Sequence, residues 1–184
     1  MSEHRDQYGG TSTTPAEIEN VKRENAAKHE KALNERPEST PSLAESSQKL
    51  LELTKSVFDR AGQLKESGKS DGFELREDGG VNVFSFSEKV PGATTLNGRI
   101  KYSPKDNKGT VITWEGLPAG FNHNVVEINF WTDEEESAKG SKQGTNATGP
   151  REEDIMTDEE LSQVVSSVVV KFEEALNRME TDKE

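Results

Sequence analysis

Cysteine is absent from this 184-residue sequence, and histidine occurs three times. Disulfides, thiolate catalysis and cysteine-ligated metals are therefore excluded. His4 and His29 fall in a polar N-terminal stretch, so only His123 is left for the rest of the chain, and a His-rich catalytic zinc site has no ligand set. Apolar residues are also scarce, at 29% of the chain, with aromatics at 6%. No apolar run approaches the roughly 18 residues that would span a bilayer. The start, Met1-Ser2-Glu3-His4-Arg5-Asp6, lacks the apolar core of a secretory signal and carries acids, which transit peptides avoid. Asn146-Ala147-Thr148 fits a glycosylation sequon, which has no use without secretion. The expectation is a soluble intracellular protein, cytoplasmic or nuclear. G-x-x-x-x-G-K-[ST], G-x-G-x-x-G and G-x-S-x-G are all missing, so no nucleotide loop or serine-hydrolase elbow is present, and neither cofactor nor metal is expected.

What is there is unevenly spread. Leu, Ile, Val and Phe make up 36 of 184 residues, near the roughly 20% level below which chains tend to stay unfolded. Residues 1–40 hold only Ile18, Val21 and Leu33 of that set. This divides the chain into a mobile polar arm, 1–40, and a single folded domain, 41–184, long enough to bury a core. The formal net charge is −12. Such a chain is repelled by phosphate backbones and anionic membranes, so nucleic acid and membrane are excluded as partners; an acidic surface instead favours solubility or a basic protein partner.

Within the arm, Thr14-Pro15-Ala16-Glu17 has the spacing of a capping box and predicts a helix over 15–35. Its amphipathicity is poor: Ile18 and Val21 share a face that Asn25 and Lys28 continue. Such a helix is marginal alone and suited to folding against a partner. Arg36-Pro37-Glu38-Ser39-Thr40-Pro41 reads as a linker. Leu43, Leu50, Leu51, Val57, Phe58, Ala61 and Leu64 then recur at helical spacing and predict a helix over 42–66, opened by Thr40-Pro41 or by Ser42, with Ser42 and Glu45 spaced as a second capping box and Gly68 as its stop.

From residue 73 the period changes to two. Phe73 and Leu75 alternate with polar residues, Asp78-Gly79-Gly80 reads as a hairpin turn, and Phe84 and Phe86 continue the alternation. Ile100 and Tyr102 oppose Arg99 and Lys101. Pro104–Gly109 is a loop. Ile112 and Trp114 are taken as inward in the next strand, and Val126, Ile128 and Phe130 as inward in the strand 124–131. Residues 132–156, nearly without apolar groups, predict a disordered acidic loop. Thr157 and Glu160 form a third capping box, followed by the stripe Leu161, Val164, Val165, Val168, Phe172, Ala175, Leu176 and Met179 of a last helix. One wet and one buried sheet face, with a helix on either side in sequence, predicts an α+β fold. It is a two-layer sandwich: an antiparallel meander of 4–5 strands, with the helix preceding it and the C-terminal helix packed on one face.

Three groups of residues stand out as candidate sites. Trp131 and Glu127 fall on the polar sheet face by alternation, where an aromatic can anchor a partner. Ile18 and Val21 are the apolar contacts of the arm helix. The acidic runs Asp133-Glu134-Glu135-Glu136 and Glu152-Glu153-Asp154 suit docking of a basic surface better than a metal, since no EF-hand spacing constrains them. His123 with Glu127 could form an acid/base pair, but a solvated loop histidine explains it as well. These features point to a non-enzymatic protein–protein interaction or adaptor module that uses the mobile N-terminal arm and the acidic surface. One alternative is a small-ligand carrier with Phe84, Phe86, Tyr102 and Trp114 lining a pocket between sheet and helices. Another is a self-assembling structural or viral component. On this reading, removal of residues 1–39 leaves the melting temperature nearly unchanged.

Overall fold

A computed structural model describes residues 14–90, 94–116, 124–146, 149–150 and 154–181. Contacts divide the chain into two units, Met1–Ala32 and Leu33–Glu184. The division falls eight residues before Pro41, so the linker belongs to the second unit.

Most of helix α1 (Pro15–Asn34) lies in the first unit. Its start is the capping box that the spacing predicts: the Thr14 N–H donates to Glu17 Oε2 at 2.7 Å and the Glu17 N–H to Thr14 Oγ1 at 3.4 Å. Ile18 and Val21 are exposed, at 46% and 53%.

The second unit is a sandwich of helices on an antiparallel meander. Helix α2 (Pro41–Glu66) precedes strands β1 (Phe73–Asp78), β2 (Val81–Val90), β3 (Thr94–Ser103), β4 (Lys108–Gly116), β5 (Asn124–Trp131) and β6 (Ser137–Asn146). Two short strands, β7 (Gly149–Pro150) and β8 (Asp154–Ile155), pair with β6, and helix α3 (Asp158–Thr181) closes the chain. The meander pairs in sequence order from β1 to β6. It therefore has six long strands where alternation predicts four or five. Thr40, not Ser42, caps α2 by accepting the Leu43 N–H at 3.2 Å. Thr157 and Glu160 cap α3 reciprocally, at 3.0 and 3.3 Å.

The register explains the core. Phe84, Ile100, Val111, Ile128 and Gly140 lie opposite one another across five strands. The first four are fully buried with Leu50, Val57 and Ala61 of α2 and Val165, Phe172 and Ala175 of α3. Two glycines on this face are seats for rings. A Cβ at Gly109 would overlap the Phe130 ring, and one at Gly98 would overlap Phe86 and stand 2.9 Å from Phe172. Phe86 meets Phe172 edge to face at 5.1 Å, and Tyr102 stacks on Phe130 at 6.3 Å.

Two sequence expectations are corrected. The first is the disordered loop over 132–156, part of which is β6, paired with β5 from Ser137 to Gly144. Its inward residues are Ala138 and Gly140, too small to give an apolar alternation; Leu161 and Met156 fill the space above Gly140, at 2.9 and 3.1 Å from where a Cβ would stand. The second is the parity of β4. Val111 and Thr113 are buried on the helix side, while Ile112 and Trp114 are half-buried on the other face. The strand is apolar at both parities, and the pairing of Ser103 with Lys108 fixes which set turns inward.

Candidate functional site

The sheet face opposite the helices, called here the outer face, has two parts. At the β4–β6 end it is strapped. The Leu33 carbonyl and Asn34 Oδ1 accept from Asn129 Nδ2 at 3.3 and 3.2 Å, and Asn129 Oδ1 accepts from Thr110 Oγ1 at 2.6 Å. Lys108 Nζ donates to Asn34 Oδ1 at 3.1 Å and stands 5.3 Å over the Trp131 ring. Leu33 and Asn129 are buried, each 2% exposed. The strap continues through Arg36, which donates to both Asp133 carboxylate oxygens, to the Glu135 carbonyl and, at 3.2 Å, to Ser137 Oγ. Ser39 Oγ donates to the Glu136 carbonyl at 2.5 Å and Thr40 Oγ1 to Asp158 at 3.1 Å. The hydrogen-bonded Arg36 guanidinium holds the Asp133 carboxyl below the usual carboxylate range, and the same pairing raises Arg36.

The acidic run is therefore partly structural. Asp133 is bound into the strap, and the carbonyls of Glu135 and Glu136 anchor it. Glu134 and Glu135 are exposed. Glu152, Glu153 and His123 lie outside the described residues, and Asp154 is described only as backbone in β8. Trp131 stands on the outer face as alternation predicts, but at 8% exposure it is covered. Its own carbonyl accepts from Ser47 Oγ at 2.6 Å. Glu127 is half-buried on the same face, between Ile112 and Ser141 of the neighbouring strands. Ile18 and Val21 belong to the first unit, one helical turn apart on α1.

The middle of the outer face is open. Trp114 lies opposite Val125, and Ile112 stands two residues along the same strand, so the three form a contiguous apolar stripe of half-buried side chains. Arg99, opposite Ile112, places its guanidinium carbon 5.7 Å over the Trp114 ring. Charge on this face runs against that of the chain. The register puts six bases on it (Arg76, Lys89, Arg99, Lys101, Lys108, Lys139) and three acids (Glu74, Asp78, Glu127), in a chain of net charge −12. Arg99 and Lys101 were legible from alternation in 98–103. Val125 faces away from the helices by the alternation of 124–131, but Ile112 and Trp114 were not legible as a surface, because the alternation of 110–115 turns them inward. Arg36 had no signal in a proline-flanked linker.

The space between sheet and helices is filled by Phe84, Phe86, Phe130 and Phe172. A groove of about 370 Å³ between α2 and α3 is lined by Lys49, Glu52, Leu53, Ser56, Ser166, Val169 and Glu173. Among the described residues, no three His, Cys, Asp or Glu side chains are placed to hold a metal, and no buried side-chain nitrogen or oxygen lacks a hydrogen-bond partner. No described helix is long and apolar enough to cross a membrane. No family model, curated protein or solved structure matches this chain.

Proposed function

We propose that this chain is a non-enzymatic protein-binding module that works through the open middle of its outer sheet face. The observation that carries the reading is the contiguous stripe of Ile112, Trp114 and Val125, left partly open to solvent beside the stacked Arg99. A half-buried tryptophan with an arginine on its ring supplies the residue types that dominate binding energy at protein interfaces. The exposed Ile18 and Val21 of α1 and the acidic side chains of Glu134 and Glu135 offer further contacts at the arm and the turn. The ligand-carrier alternative has less support, because rings occupy the space it needs, and Trp114, one of its four lining residues, faces the other way.

The test is affinity capture from the source lysate with the full chain, an Ile112→Asp variant and an Ile18→Asp/Val21→Asp variant, each first shown to melt like the parent. A protein retained by the parent and lost with Ile112→Asp supports the reading. Retention with Ile112→Asp and loss with the double variant moves the working surface to α1, and equal retention by all three overturns it.

A further inference from the structure

We propose that the outer face binds an acidic polypeptide segment, with the Ile112–Trp114–Val125 stripe receiving an apolar side chain and Arg99 and Lys101 receiving the carboxylates beside it. The inference rests on the reading of this face as a protein-binding surface and adds the chemistry of the partner. It reverses the expectation of a basic partner, which followed from the charge of the whole chain. The local charge has the opposite sign: bases outnumber acids two to one on this face, while the chain carries −12. A bound segment responds mainly to charges within about 8 Å at physiological salt, and those beside the stripe are Arg99 and Lys101 on one neighbouring strand against Glu127 on the other.

The two cations differ in what they offer. Arg99 lies over the Trp114 ring with its guanidinium carbon at 5.7 Å. Stacking occupies the flat face of the group and not its N–H fork, the part that matches a carboxylate. Lys101 lies two residues along the same strand face and is exposed. An apolar stripe flanked by cations on one side thus suits a segment in which acids alternate with an aromatic or aliphatic residue. A long polyanion such as nucleic acid fits less well. It would extend beyond the face and meet the rest of a chain of net charge −12, which repels a phosphate backbone.

The experiment is selection of a random peptide library displayed on phage against the full chain. Enriched peptides are then titrated against the parent, Arg99→Glu/Lys101→Glu, Trp114→Ala, and Lys49→Glu/Lys55→Glu as a control of equal charge change on α2. A single-stranded oligonucleotide is titrated in parallel. The expected result is enriched sequences of net negative charge with an aromatic or aliphatic residue. Their binding should weaken roughly tenfold with Arg99→Glu/Lys101→Glu, and similarly as salt rises from about 0.05 to 0.5 M, with no change in the α2 control. Peptides that lose binding with Trp114→Ala but not with Arg99→Glu/Lys101→Glu would leave a protein-binding face and overturn its acidic partner. Enrichment of neutral or basic sequences would do the same. No enrichment at all would overturn both readings. An oligonucleotide held by the parent more tightly than any peptide, and released by Arg99→Glu/Lys101→Glu, would reassign the face to nucleic acid.

Discussion

Glycine and tryptophan carry opposite lessons at the residue scale. Gly109 and Gly62 look alike in the sequence, yet one is pressed by a buried ring and the other by nothing within 4 Å. Phe130 is fully buried, so its ring cannot swing aside to admit a methyl group at position 109. Gly109→Ala should therefore destabilise by about 1–3 kcal/mol, as overpacking of a filled core does. Gly62→Ala, in the middle of α2, should stabilise by about 0.5–1 kcal/mol through helix propensity alone. Urea denaturation of the two variants measures both, and equal effects of either sign would contradict this packing of Phe130. The tryptophans divide the same way. Trp131 is covered and Trp114 is half-open. Iodide should quench the Trp131→Phe protein, which keeps Trp114, more strongly than the Trp114→Phe protein, which keeps Trp131. The reverse order would place the open patch at Trp131.

At the scale of elements, the strap and β6 depend on each other. Arg36 holds the turn that leads into β6, bridging Asp133, the Glu135 carbonyl and Ser137. The pH dependence follows from the lowered Asp133 carboxyl. Its ionised form is favoured in the folded chain, so its contribution is complete above the unfolded value of about pH 4 and is lost as pH falls through the lower folded value. The parent should melt above Asp133→Asn at neutral pH, and the gap should close as the pH falls below the ordinary carboxylate range. Glu17 and Glu160, lowered by their capping hydrogen bonds, titrate in both proteins and drop out of the difference. A gap that persists in acid would mean that Asp133 acts by shape and not by charge. What was legible here follows the same physics. Helices α2 and α3 and strands β1, β2, β3 and β5 were readable because large side chains mark one face at a clear period, whereas α1 was readable from its capping box alone. β6 was not, because its core-facing buried positions are Ala138 and Gly140, its other buried positions are Ser137 and Ser141, and it is held by backbone pairing and by Leu161 and Met156 above Gly140. The open stripe was hidden for a different reason, that β4 is apolar at both parities and only tertiary register separates Val111 from Ile112. Arg36 and the strap bring together residues about a hundred positions apart, a pairing that no local pattern encodes.

At the scale of the molecule, the place where the arm ends becomes a measurable quantity. Composition puts the end near residue 40, and contacts put it between Ala32 and Leu33. The eight residues between these limits include a buried leucine, the Asn34 bonds to Asn129 and Lys108, the Arg36 clamp and the Ser39 bond. A chain starting at residue 33 keeps all of them; a chain starting at residue 40 loses all of them while keeping the Thr40 cap of α2. Removing Leu33 alone withdraws a buried aliphatic side chain worth about 1.5–3 kcal/mol. Leaving Asn129 without its acceptors on the strap adds the cost of a buried polar group that has lost partners, about 1–3 kcal/mol. In a domain of this size each kcal/mol shifts the melting point by about 2–4 °C. The 33–184 chain should therefore melt within about 2 °C of the full protein, and the 40–184 chain several degrees to more than ten degrees lower. Equal melting of both would return the boundary to residue 40 and make the strap an adornment of the fold. A loss already present at residue 33 would instead give α1 a part in holding the sandwich together.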